Sequence, residues 1–168
     1  QIQNKSNILI QSLELNLYLN RTFDLIHNLK NKNEVVIINT IPDGVFVDFN
    51  PAYLESVLLN FTTNAIKYSN PDKPIEIKYS FSIENDKKTL RISDNGLGID
   101  LKKHGDSLFG MYKTFHKHKD SHGLGLYITK NQIESMKGTV SVESEVGLGT
   151  TFIIVFNDSL QEELAGLD

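Results

Sequence analysis

"LLNFTTNAIKYS", Leu58 to Ser69, reads as an amphipathic helix carrying more polar chemistry than burial requires. Leu58, Leu59, Ala65 and Ile66 supply a core-facing stripe. Asn60, Asn64 and Lys67 succeed one another at steps of four and three, with Tyr68 beside them. At about 100° per residue these positions gather on one side of the helix. A neutral amide oxygen is a suitable hard ligand for Mg²⁺, and a lysine about one turn away can neutralise phosphate. On its own the pattern also describes a solvated polar face, so the surrounding chain has to decide.

Working outward, Pro51 suits the first turn of this helix, which is expected to end near Tyr68 before "SNPDKP". Upstream, "LELNL" alternates like a short strand, and Asn16 is expected to cap a helix running to about Asn31 with Leu19, Phe23, Ile26 and Leu29 as its stripe. "EVVIIN" and "VFVDF" are strand-like, separated by the turn signal "IPDG". Downstream, "IEIKYSFSI" and "TLRISD" flank the polar turn "ENDKK". Residues 95–121 are rich in Gly, Lys and His without a clear period, and are expected to form a loop with a helical turn. A loop of that length inside a compact domain is usually functional or mobile. "GLGLYITKNQIESMK" has helical spacing through Leu126, Ile133 and Met136, and "GTVSVESE" and "TTFIIVF" read as a closing hairpin. This order predicts an α/β (α+β) two-layer sandwich, a mixed β-sheet covered on one face by helices.

A chain of 168 residues, 39% hydrophobic, suits a single core. A net charge of −4 and a pI near 5.7 mark neither a nucleic-acid binder nor a membrane-surface binder. Without cysteine there is no disulfide framework, thiolate metal site or thiol nucleophile. No apolar run approaches the roughly 20 residues that span a bilayer. The chain opens on Gln1 without a signal segment, so it is expected to be a soluble piece of a longer protein, not itself inserted in a membrane.

Three further motifs bear on the helix. "SDNGLGID", Ser93 to Asp100, follows a strand directly. A carboxylate such as Asp94 can accept a hydrogen bond from an exocyclic amine like that of adenine, while Gly96 and Gly98 let the backbone bend and approach a flat ligand. "HGLGLYITK", His122 to Lys130, opens a helix behind two glycines; helix N-terminal N–H groups form an anion site that Gly123 and Gly125 leave accessible. "GLGTTF", Gly147 to Phe152, can be a simple hairpin turn, just as "DNG" can be an ordinary turn. Neither G-x-G-x-x-G nor the P-loop spacing occurs, so neither of those nucleotide folds is supported.

Taken in order, the motifs resemble the catalytic ATP-binding domain of a sensor histidine kinase, in the superfamily that includes DNA gyrase, heat-shock chaperone ATPases and mismatch-repair ATPases. "NFTTNAIKYS" is similar to the N box of that family, and "DNGLGID", "HGLGLYITK" and "GLGTTF" to its first, second and third glycine boxes. The likeness runs from about Leu13 to Phe156 and implies the Bergerat ATP-binding fold. It further implies that Asn64 holds Mg²⁺ against the triphosphate, that Asn60 supports it, and that Lys67 reaches phosphate; these three form the implied catalytic set. Tyr68 would lie against the purine and Asp94 would read its amine together with Thr150. Gly96 and Gly98 would shape the purine pocket, with Gly123, Leu124, Gly125 and Leu126 bordering the phosphates and His122 a minority candidate for phosphate contact. Residues 101–121 would be the ATP lid, in which Phe109 and Phe115 resemble the F box with altered spacing.

Asn60 bears on the choice within the superfamily. Hydrolytic relatives carry Glu at this place as a general base, and an amide cannot take that proton. The resemblance therefore implies transfer of the γ-phosphoryl group of ATP to a histidine on a separate dimerisation hairpin. None of the five histidines here is followed directly by an acidic residue, so the acceptor is expected elsewhere. Residues 1–12 would end that hairpin or a linker, residues 13–157 form the domain, and residues 158–168 a tail. The implied setting is a cytoplasmic domain of a homodimeric, membrane-anchored or free, parent that phosphorylates a response regulator, with no nucleic-acid partner. The alternative is a degenerate nucleotide-sensing module without phosphotransfer.

Overall fold

The computed structural model describes residues 8–29, 34–110, 124–158 and 166. β1 (Gln11–Glu14) turns directly into α1 (Leu15–His27), and β2 (Val35–Asn39), β3 (Phe46–Phe49) and α2 (Pro51–Lys67) follow. Next comes the hairpin of β4 (Ile75–Glu84) and β5 (Lys87–Asp94), then the short α3 (Leu101–His104) and a 3-10 turn at Gly105–Ser107. α4 (Leu124–Ser135) and the hairpin of β6 (Thr139–Glu145) and β7 (Gly149–Val155) complete the described fold.

Period-two alternation builds the main sheet. Ile75, Ile77 and Tyr79 of β4 are buried, while Glu76 and Lys78 between them face solvent. The strand order is β2-β4-β5-β7-β6, with β2 parallel to β4 and the other pairs antiparallel. Leu58 and Phe61 of α2, Leu19 of α1 and Ile133 of α4 join Tyr79 and Leu90 of the sheet in one core. Phe61 lies 4.6 Å from Phe152 between ring centroids, and Phe23 meets Tyr79 edge-on at 5.2 Å. Each such buried side chain contributes about 1.5–3 kcal/mol relative to exposure. The Tyr79 hydroxyl is bonded to Thr62 Oγ1 at 2.5 Å, and burial raises its pKa, so it stays protonated. The expected mixed sheet with helices on one face is what the chain forms.

The register matters most for function. Across β4, β5, β7 and β6 the pairing aligns Ile77, Asp94, Thr150 and Ser144 in one transverse row. Asp94 shares the face of Ile92 and Leu90, so the row points toward the helices.

Several local expectations change. Asn16 does not cap α1; it lies inside the helix, 7% exposed, with Nδ2 donating to Ile41 O at 2.8 Å and to Asp43 Oδ1 at 2.9 Å. Its Oδ1 accepts from Asn39 Nδ2 at 2.9 Å, so the amide holds the β2–β3 connection. The N-cap position falls on Glu14, whose carboxylate takes the Gly44 N–H instead. α1 stops at His27, which leaves Leu29 49% exposed. "EVVIIN" and "VFVDF" are strands, but in different sheets: β3 pairs with β1 and β2 with β4. Because Gln11 and Ser12 belong to β1, the folded unit starts before Leu13. Of the loop, residues 101–110 fold as α3 and the turn, while Phe115, His122 and Gly123 fall outside the described residues, as does the tail apart from Asp158 and Gly166.

Candidate functional site

α2 begins with Asn50, whose Oδ1 accepts the Tyr53 N–H at 3.1 Å, and with Pro51 in its first turn. Leu54, Val57, Leu58, Phe61, Thr62 and Ala65 are buried, so the side opposite the core carries Asn60, Asn64 and Lys67, as the spacing suggested. Asn60 Nδ2 donates to Thr129 Oγ1 of α4 at 3.1 Å. Asn64 is half-buried, and its amide has no hydrogen bond among the described residues. Lys67 is exposed in the last turn, where the helix dipole favours a cation, and its Nζ sits 5.8 Å from the Tyr68 ring centroid.

At the end of β5, Asp94 Oδ1 accepts the Gly96 N–H at 2.9 Å. Burial pushes the Asp94 carboxyl up to about 6, partly offset by the Gly96 and Thr150 main-chain N–H groups. Asn95 clamps the turn to the start of β4: Oδ1 accepts the Glu76 N–H at 2.9 Å and Nδ2 donates to Pro74 O at 3.1 Å. Leu97 N–H donates to Tyr68 O at 3.0 Å and Gly147 N–H to Leu97 O at 2.8 Å, tying the turn to α2 and to the β6–β7 hairpin. The glycines serve this packing. A Cβ on Gly96 would stand 2.5 Å from Tyr68 O, and one on Gly98, at φ +75°, would strike the Glu145 carbonyl. Their missing side chains permit close approach of the chain to itself. Gly149, at φ +127°, likewise lets β7 meet the Asp94 carbonyl.

Thr150 is buried beside Asp94, and its hydroxyl lies 2.8 Å from Ser144 Oγ. An open depression of about 340 Å³ runs past Asp94, Ser144 and Thr150 at this end of the sheet. α4 starts at Leu124; Gly125 backs onto Asn60, a Cβ there lying 3.9 Å from the Asn60 Cγ, and Leu126 is buried. Leu108 is buried, and Phe109 stacks edge-on against Phe152 at 6.3 Å with Lys130 Nζ 5.7 Å from its ring centroid. The start of the expected lid is thus anchored on the core.

The structure therefore brings Asn60 and Gly125 together at one end and Asp94 and Thr150 at the other, joined by α2 and the Tyr68–Leu97 bond. Sequence reasoning missed Thr129, Asn95 and Ser144. Only Ser144 left a signal: a short turn at "VGLG" places it opposite Thr150 in the hairpin. Among the described residues no group of three or more His, Asp or Glu could hold a metal by itself. The Asn64 amide, without a partner among the described residues, instead suits a cation held mostly by ligand phosphates and water, the habit of Mg²⁺.

A family described as histidine kinase-, DNA gyrase B- and HSP90-like ATPase matches residues 49–160. Sensor protein kinase WalK of Staphylococcus aureus (strain MRSA252) is 30% identical over 146 residues, which cover 84% of this chain and 24% of that protein. The chain thus spans about a quarter of the length of that relative. The catalytic domain of histidine kinase ThkA superposes with a TM-score of 0.73 at 20% identity, over 89% of this chain and 98% of that one. Full-length ShkA in complex with AMPPNP gives 0.69 at 21% identity, over 89% of this chain and 31% of that one. Both likenesses bear on the fold.

Proposed function

This chain belongs to the family of histidine kinase-, DNA gyrase B- and HSP90-like ATPases, as an ATP-binding catalytic domain of the sensor histidine kinase kind, and from that premise we propose how it acts in the whole protein. It binds ATP along α2 and delivers the γ-phosphoryl group to a histidine on a separate dimerisation hairpin. The observation that carries this reading is the α2 face: a half-buried Asn64 amide with no partner among the described residues, one turn from an Asn60 that lacks a carboxylate.

Asn64 and Lys67 would hold the phosphate end, Asn64 through Mg²⁺. When bound, Mg²⁺ neutralises charge on the phosphates. Asn60 keeps α4 docked on α2 through Thr129, so Gly125 and the start of that helix are aimed at the phosphates. Asp94 accepts the exocyclic amine of adenine, and Tyr68 lies against the ring. With an amide at position 60, water is not activated inside the domain. The incoming imidazole nitrogen forms the N–P bond as the bond from γ-phosphorus to the bridging oxygen breaks, and ADP leaves. The domain contributes position and charge neutralisation.

On the same reading the parent protein is a homodimer that passes its phosphoryl group to a response regulator. The ATP domain comprises residues 13–157 together with Gln11 and Ser12 of β1, with the lid following Asp100. Among the described residues no helix is long and apolar enough to cross a membrane.

The test is calorimetric titration of a non-hydrolysable ATP analogue, with and without Mg²⁺, into the wild type and Asn64→Ala. Mg²⁺-dependent binding that weakens at least tenfold in the variant is expected, that is about 1.4 kcal/mol. Equal binding by both proteins would remove Asn64 from the site, and no binding by either would overturn the reading of this domain as an ATP site.

A further inference from the structure

The hydroxyl of Ser144 touches three polar groups, and their proton count is restrictive. A serine hydroxyl has one proton and two lone pairs. Ser144 Oγ lies 2.8 Å from the carbonyl oxygen of Gly149, which has no proton to offer, so the serine proton lies there. The Ile99 N–H, at 2.8 Å, takes one lone pair. Thr150 Oγ1, also at 2.8 Å, must then donate its own proton into the other. Ser144 is fully satisfied, and Thr150 retains lone pairs but no proton for anything in front of it. Asp94, its partner across the strand, is acceptor-only when ionised.

We infer that Ser144 is a positioning residue that fixes Thr150 as an acceptor, so that this end of the site admits a purine with a 6-amino group and rejects one with a 6-oxo group. This rests on the adenine reading of Asp94. Two acceptors side by side suit an amine, directly or through a water that donates to both. An oxo oxygen there meets only lone pairs, and a buried polar group left unpaired is a stronger discriminator than shape. Because Ser144 also accepts from Ile99, the hairpin and the turn after Asp94 are set by the same hydroxyl that sets the polarity of Thr150.

The experiment measures affinities of the imido analogues of ATP and ITP, at neutral pH with Mg²⁺, for the wild type, Ser144→Ala, Thr150→Val and the double variant. The wild type is expected to prefer the adenine nucleotide. Ser144→Ala frees the Thr150 proton and is expected to lower the preference about tenfold. Thr150→Val is expected to lower it similarly, and the double variant no further, because Ser144 acts through Thr150. A Ser144→Ala loss that is equal for both nucleotides, or that adds in full to Thr150→Val, overturns the inference while leaving the adenine site intact. Equal affinity of the wild type for both nucleotides, or an unchanged preference in Asp94→Asn, overturns the adenine reading and this inference with it. If Ser144→Ala does not fold, Ser144→Thr is expected to keep the preference and Thr150→Val to lose it; a preference retained in Thr150→Val overturns the proposal.

Discussion

Asp94 sits at the end of a strand whose neighbours on the same face are Ile92 and Leu90, and the fold tolerates its charge poorly. Its pKa is raised to about 6 from an ordinary 3.8, so between those values the folded chain binds a proton that the unfolded chain does not. The sign follows: this group's contribution to stability improves as pH falls from about 6 toward 4, and its full penalty is present above pH 6. Asp94→Asn is therefore expected to stabilise the protein at pH 7.5, on the order of 2 kcal/mol, with the gain vanishing near pH 4. Denaturant unfolding at the two pH values reads this out. In the same variant an adenine nucleotide should bind much more weakly, and a nucleotide lacking the 6-amino group nearly as before. Acidification of the wild type through pH 6 should reduce that same preference, since the ionised acceptor is the stronger one. Asp94 was legible in the sequence because it follows an alternating strand and precedes two glycines. The reason for those glycines was not legible, because Tyr68 and Glu145, which crowd them, are distant in the chain.

At the scale of elements, the Asn60–Thr129 bond joins α2 to α4. Spacing exposes which residues share a helix face, so the row from Asn60 to Lys67 could be found without coordinates. It says nothing about which other helix comes to lie against that face, and Thr129 in "YITK" looks like any half-buried threonine. Thr129→Val keeps the shape and removes the acceptor, leaving the Asn60 N–H without it. We expect a loss of about 1–2 kcal/mol in urea unfolding. Nucleotide affinity should fall as well, since the start of α4 is no longer held, whereas adenine-over-hypoxanthine preference should not change. A variant that loses stability but keeps full affinity would mean that Gly125 is positioned by other contacts.

For the whole molecule, the alternating strands and the motif order were enough to expect a mixed sheet with helices on one face. They could not show that β2 and β3 enter different sheets, because register and partner depend on contacts across the α2 crossover. The same topology has a consequence in time. The β4–β5 and β6–β7 hairpins are local, the first closing through Asn85 and Asp86 with left-handed φ of 52° and 60°. Asp94 and Thr150 face each other only when one hairpin docks on the other as β5 pairs with β7. Contacts so distant in sequence form late. A nucleotide then has little to grip before folding is nearly complete: stopped-flow kinetics with the ATP analogue should show slower unfolding and an unchanged refolding rate, the ligand acting as a latch on the finished domain and not as a template for it.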